Sequence, residues 1–146
     1  MASLYLFDTN ILVHLVRADR TGAHITRSYR PLVALPRPFI SVVTEGELQS
    51  LAYQWFWGQQ RVEQMSFLLD YFQHIPLGDS NIYEAHALID SYSEQQGRTM
   101  GKNDLWIAAA AYVMGATLVT TDKDFAHLQP LFLSLDLIEL AVESET

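Results

Sequence analysis

The chain predicts an α/β protein: three layers, α/β/α, around a central mostly parallel sheet. Three observations carry that prediction. Short apolar runs such as Leu4-Tyr5-Leu6-Phe7 and Thr117-Leu118-Val119-Thr120 alternate with longer segments of helical spacing, and strands alternating with helices imply a parallel sheet covered on both faces. An acidic residue stands where several of those runs hand over to a helix. Apolar residues make up 49% of the 146, enough for one domain to bury a real core.

Residues 3–7 form the first strand, and residues 9–16 follow with helical spacing. Residues 19–38 hold Gly22, Pro31, Pro36 and Pro38 among arginines and read as a long loop with room for a helical turn. Residues 39–42 form a second strand. Thr44 is placed to N-cap the next helix, with Glu47 completing a capping box. The core stripe of that helix is Leu48, Leu51, Ala52 and Trp55, at helical spacing. Gly58 closes it, and another helix covers about residues 60–72. Residues 74–77 make a brief strand, and Asp79 or Ser80 caps a helix to about residue 96. After the loop 97–101, Asn103 caps a helix over 104–114. Residues 117–120 are a strand, 123–128 a short helix, and Pro130 precedes a last apolar stretch near 132–135. Residues 1–140 therefore read as a single domain and 141–146 as an acidic tail.

Bulk properties narrow the function. The absence of cysteine excludes disulfides, thiolate zinc sites and a cysteine nucleophile, and is compatible with a cytoplasmic location. No basic start precedes Asp8, so the N-terminus does not read as a signal peptide. The uncharged stretch 105–121 approaches the length of a membrane span, but Gly115 divides it into a helix and a strand. No membrane segment is expected. A net charge of −8 argues against grip on nucleic acid by bulk electrostatics. Yet Arg17, Arg20, Arg27, Arg30 and Arg37 are five of the nine basic residues, all in one early segment. That strip suits either a phosphate backbone or a solvated insertion.

Four acids carry the chemistry. Asp8 and Asp122 follow directly on hydrophobic strands, Asp104 opens an apolar helix, and Glu47 lies one turn into another. In a parallel sheet the carboxyl ends of the strands converge on one crevice. Carboxylates gathered there repel unless a hard cation neutralises them, and oxygen ligands suit Mg²⁺ or Mn²⁺. Each acid alone also has a structural explanation. Asp8 as an N-cap is worth about 1 kcal/mol, and Asp104 in a first turn roughly 0.3–1 kcal/mol. Asp122 could open a turn, and Glu47 could serve the capping box. Periodicity does not choose between Glu45 and Glu47, which flank the Leu48–Trp55 stripe on opposite sides, and Asp124 stands beside Asp122 as a rival fourth acid.

The ordered pieces Phe7-Asp8-Thr9-Asn10-Ile11-Leu12, Ile40-Ser41-Val42-Val43-Thr44 with Glu47-Leu48, Asn103-Asp104-Leu105-Trp106-Ile107-Ala108-Ala109 and Leu118-Val119-Thr120-Thr121-Asp122 with Phe125 resemble a PIN domain of the VapC toxin type. The resemblance spans nearly the whole chain. Aligned to the family's S-x-x-T-x-x-E-L pattern, it implies Glu47 as the metal-site glutamate and Glu45 as the bystander. It places Thr9, Asn10 and Thr120 as supporting polar residues. It further implies Mg²⁺- or Mn²⁺-dependent hydrolysis of RNA to a 5′-phosphate product and a cognate antitoxin. The segment 19–38 is longer than a compact member needs. The residues supply a route: Asp8 and Asp104 binding the principal ion, Glu47 holding it directly or through water, and Asp122 completing a second site or orienting water.

His14, His24, His74, His86 and His127 share no spacing and read as packing or surface residues, with His14 an exception for lying after Asp8. No Gly-x-Ser-x-Gly elbow or phosphate-binding glycine loop is present. Asn10 occupies the place where a haloacid-dehalogenase-like site needs a second Asp, and a receiver domain's acidic pair is missing. The remaining rival is a catalytically inactive PIN-like RNA- or protein-binding module. Tyr53, Trp55, Phe56 and Trp57 form an aromatic run that one helix face does not hide, which marks a homodimer contact or the groove for an antitoxin peptide, or else packing between two helices.

Overall fold

The computed structural model describes residues 3–140. Five strands form one sheet in the order β3-β2-β1-β4-β5, with β1 Tyr5–Phe7, β2 Phe39–Ser41, β3 Gln73–Ile75, β4 Thr117–Thr120 and β5 Ser134–Leu137. Every pairing is parallel, so the expected mostly parallel sheet is wholly so. β1 and β4 are central and in register, Phe7 opposite Val119. Their ends therefore place Asp8 and Asp122 along one edge.

Helices cover both faces. α5 Ser80–Gln95 and α6 Lys102–Met114 pack on one side, where Leu6, Ile89, Leu118, Phe125 and the alanines of α6 make a closed core. On the other side lie α1 Thr9–Arg17, α2 Arg20–Tyr29, α3 Val42–Gln54 and α4 Gln59–Tyr71, with Phe7, Ile11, Ile25, Leu48 and Leu68 buried between them. Alanines at 108–111 are wholly buried, so α6 lies close against the sheet and holds Asp104 at its first turn.

Three expectations change. Residues 20–29 are a helix, not loop. Asp19 N-caps it by accepting from the Gly22 amide at 2.9 Å, and a Cβ on Gly22 would stand 2.2 Å from the His14 carbonyl oxygen. Gly22 thus works as a close-packing residue between α1 and α2 rather than as a breaker. The long connection shrinks to residues 30–38.

The helix assigned to a Thr44 cap begins earlier, at Val42, with the Ser41 hydroxyl accepting from Val43 N. No capping box forms, which frees Thr44 and Glu47 for the site. Likewise α6 starts at Lys102 with Gly101 as its cap, so Asn103 is not the cap. The tail 141–146 lies outside the described residues. Within them, no helix is long and apolar enough to cross a membrane.

Candidate active site

Asp8 ends β1 and N-caps α1, and it is 3% exposed. Its carboxylate accepts from Thr9 N at 2.8 Å, Thr120 Oγ1 at 2.7 Å and Asn10 Nδ2 at 3.1 Å. Burial pushes its pKa from 3.8 up to about 6, against the lowering effect of those donors, and the charges of Glu47 and Asp122 add to the rise. The helix cap and the buried carboxylate are therefore one residue, and the two explanations for Asp8 do not compete.

Glu47 is held from two sides. Thr9 Oγ1 donates to Oε1 at 2.6 Å and Asn103 Nδ2 to Oε2 at 3.2 Å, while Thr44 Oγ1 lies 3.0 Å from the Thr9 hydroxyl. Glu45 turns away to within 3.8 Å of His74 Nδ1. Of the two glutamates, Glu47 is the one that borders the cleft and meets Thr9 of α1.

Thr120 and Asn10 tie the sheet edge together. Asp122 N donates to Thr120 Oγ1 at 3.0 Å, and Thr121 N to Asn10 Oδ1 at 3.1 Å. Asp122 caps the 3-10 helix Lys123–Leu128 by accepting from Asp124 N at 2.9 Å. Asp122 faces the cleft and is half-buried; Asp124 is exposed.

Asp104, on the first turn of α6, has no hydrogen-bond partner among the described residues. Burial, then the charges of Asp8, Asp122, Glu47 and Asp124, raise its pKa from 3.8 to about 7. Burial first, and neighbouring negative charge after it, raise both carboxyls, as acids gathered in a partly desolvated cleft should be.

Asp8, Thr9, Asn10, Glu47, Asp104 and Asp122 all border one open cleft of about 380 Å³. Every residue the sequence proposed for the site except Thr120 lines it, and Thr120 lies just behind. Among the described residues no three acidic or imidazole groups already form a coordination shell. Glu47 is turned onto Thr9 and Asn103. The donor set itself, oxygen only, fits a hard divalent cation.

Other residues border or support the cleft; the sequence set His14 apart for lying after Asp8 and put Arg17 in the basic strip, but neither was among the proposed site residues. His14 and Arg17 line it, with His14 Nδ1 2.7 Å from Asp19 Oδ2. Trp55 lines it too and is 48% exposed, although its spacing placed it in the core stripe. Asn103 and Thr44 were read as caps, and their position one residue before Asp104 and three before Glu47 was the available signal.

A parallel sheet whose carboxyl edge gathers four acids into one cleft defines the class. The chain belongs to the PIN domain family, whose model matches residues 5–129. It is similar to Ribonuclease VapC1 of Haemophilus influenzae (strain R2866), 27% identical over 132 residues, covering 88% of this chain and 94% of that protein. Among solved structures it resembles VapBC-1 from nontypeable Haemophilus influenzae, with a TM-score of 0.73 at 25% identity over 92% of this chain and 97% of that one. It also resembles a toxin–antitoxin complex from Klebsiella pneumoniae, with a TM-score of 0.65 at 25% identity over 86% and 92%.

Proposed function

We propose that the protein is a Mg²⁺- or Mn²⁺-dependent endoribonuclease and the toxin of a toxin–antitoxin pair. The observation that carries this reading is the convergence of Asp8, Glu47, Asp104 and Asp122 on one cleft in a PIN-family chain. The ribonuclease name of its Haemophilus relative and the toxin–antitoxin complex among its structural neighbours support it.

Asp8 and Asp104 would hold the principal ion, Glu47 would join directly or through water, and Asp122 would complete a second site or orient water. A bound divalent cation supplies charge neutralisation at the phosphate and a coordinated water of lowered pKa. The protein's own part is positioning. Thr120, Asn10 and the Thr9 amide fix both oxygens of Asp8. Thr9 and Asn103 set the orientation of Glu47, as partners one step out from a metal commonly do. No histidine base is needed, and His14 is engaged by Asp19. Water attack leaves a 5′-phosphate and a 3′-hydroxyl.

The partners follow the same reading: RNA as substrate, a cognate antitoxin, and a second copy in a cytoplasmic homodimer. Tyr53 and Phe56, 83% and 89% exposed, are the most exposed members of the aromatic run, whereas Trp57 is partly buried against the core.

The test is cleavage of tRNA, rRNA fragments and single-stranded RNA in Mn²⁺, Mg²⁺ or EDTA, with Asp104→Asn alongside. Metal-dependent cleavage lost in the variant is expected. Cleavage surviving in EDTA, or equal in both proteins, contradicts the reading.

A further inference from the structure

Trp55 is placed where a side chain chosen for packing alone would not be. It ends α3, its amide donating to Leu51 O at 2.8 Å, and the chain then reverses through Phe56 at φ 53° so that Trp57 N reaches Ala52 O at 3.0 Å. A left-handed bulky residue is uncommon and costs backbone energy. The reversal buries the Trp57 side against the core and leaves Trp55 on the wall of the acidic cleft, half exposed. The two indoles stand 6.0 Å apart at 58°, so Trp57 braces Trp55 from behind.

The charge of the cleft makes an aromatic wall useful. Four carboxylates border it, and among the described residues Arg17 is the one Lys or Arg in its lining. A phosphate grip there is weak in a chain of net charge −8. Stacking on a base needs no charge and is available from every base, but only when the base is unpaired.

Building on the ribonuclease reading, we propose that Trp55 stacks a nucleobase flanking the scissile phosphate, so that the enzyme selects unpaired RNA. Trp55 is a substrate-positioning residue; the acids do the chemistry. Arg17, which lines the same cleft, is the cation available to a neighbouring phosphate.

The test uses a single-stranded oligoribonucleotide that the wild type cuts at a mapped position. Versions abasic on either side of the cut and the fully paired duplex are compared with wild type, Trp55→Phe and Trp55→Ala. Trp55→Ala is expected to lower kcat/KM about 5- to 150-fold on the intact strand, from the range that base–aromatic stacking spans. On one abasic strand the two proteins should converge, Trp55→Phe should keep most of the activity, and the duplex should resist cutting. Unchanged Tm and Mn²⁺ binding in Trp55→Ala separate positioning from misfolding. Equal losses on intact and abasic strands, or duplex cut as fast as single strand, overturn the proposal.

Should the wild type cut no RNA, the ribonuclease reading fails by itself. Stacking is then judged by fluorescence anisotropy of a labelled single-stranded oligonucleotide. An affinity reduced by the same factor in Trp55→Ala supports it; equal affinities overturn it and leave the indole for a protein contact.

Discussion

Replacing Asp104 by Asn should make the metal-free protein more stable at alkaline pH while removing its metal site. The Asp104 carboxyl is raised from 3.8 to about 7 by burial and four neighbouring acids. A tenfold change is 1.36 kcal/mol, so carrying the charge in the folded state would cost about 4 kcal/mol if the group were fully enclosed. It is only half-buried, and solvent screening reduces this to about 1–2 kcal/mol. The sign follows from linkage. A raised carboxyl pKa stabilises the fold most below the unfolded value, and that stability is lost as pH rises from about 4 to about 7. At pH 8 the penalty is fully present in the wild type and absent in the variant. At 2–4 °C per kcal/mol for a chain of this size, Asp104→Asn should melt about 2–8 °C higher in EDTA at pH 8. The gap should narrow as the pH falls towards 5. Mn²⁺ should then raise the wild-type Tm and leave the variant unmoved. Equal melting at pH 8, or a gap that widens on acidification, would refute the reasoning.

Other perturbations follow from the same contacts. Asp8→Asn should lose activity and about 1–3 kcal/mol of stability, because an amide nitrogen would face the Thr120 and Asn10 donors or the Thr9 amide; chemical denaturation measures it. Thr9→Val, which removes the hydroxyl 2.6 Å from Glu47, should weaken Mn²⁺ binding about 10- to 100-fold by calorimetry with a smaller effect on folding. Gly22→Ala should destabilise by about 1–3 kcal/mol or more, since its Cβ meets the His14 carbonyl at 2.2 Å; a Tm within 1 °C of wild type would contradict the packing argument. Tyr53→Ser with Phe56→Ser should lower the solution mass to that of a monomer without loss of fold, read by light scattering.

The sheet and most of the site were legible because strand ends are punctuated by their own chemistry. Phe7-Asp8 and Thr120-Thr121-Asp122 announce the carboxyl edge, and parallel pairing of β1 with β4 makes it common. Helix starts were less legible. Ser41, Thr44, Gly101 and Asn103 all suit a cap, and only the packing of α3 on α1 and of α6 on the sheet decides which caps and which turns inward. α2 was hidden because Gly22 signals flexibility in a sequence but close approach in a fold. Trp55 fell on an apolar stripe, yet a stripe does not reveal that the helix ends there and opens onto the cleft.

The central claim is that these acids form one divalent-cation site, and calorimetric titration with Mn²⁺ tests it most directly. Wild type and Glu45→Gln should bind saturably, whereas Asp8→Asn, Glu47→Gln and Asp104→Asn should each lose most of that binding while remaining folded. Equal Mn²⁺ binding by all five proteins would contradict the account.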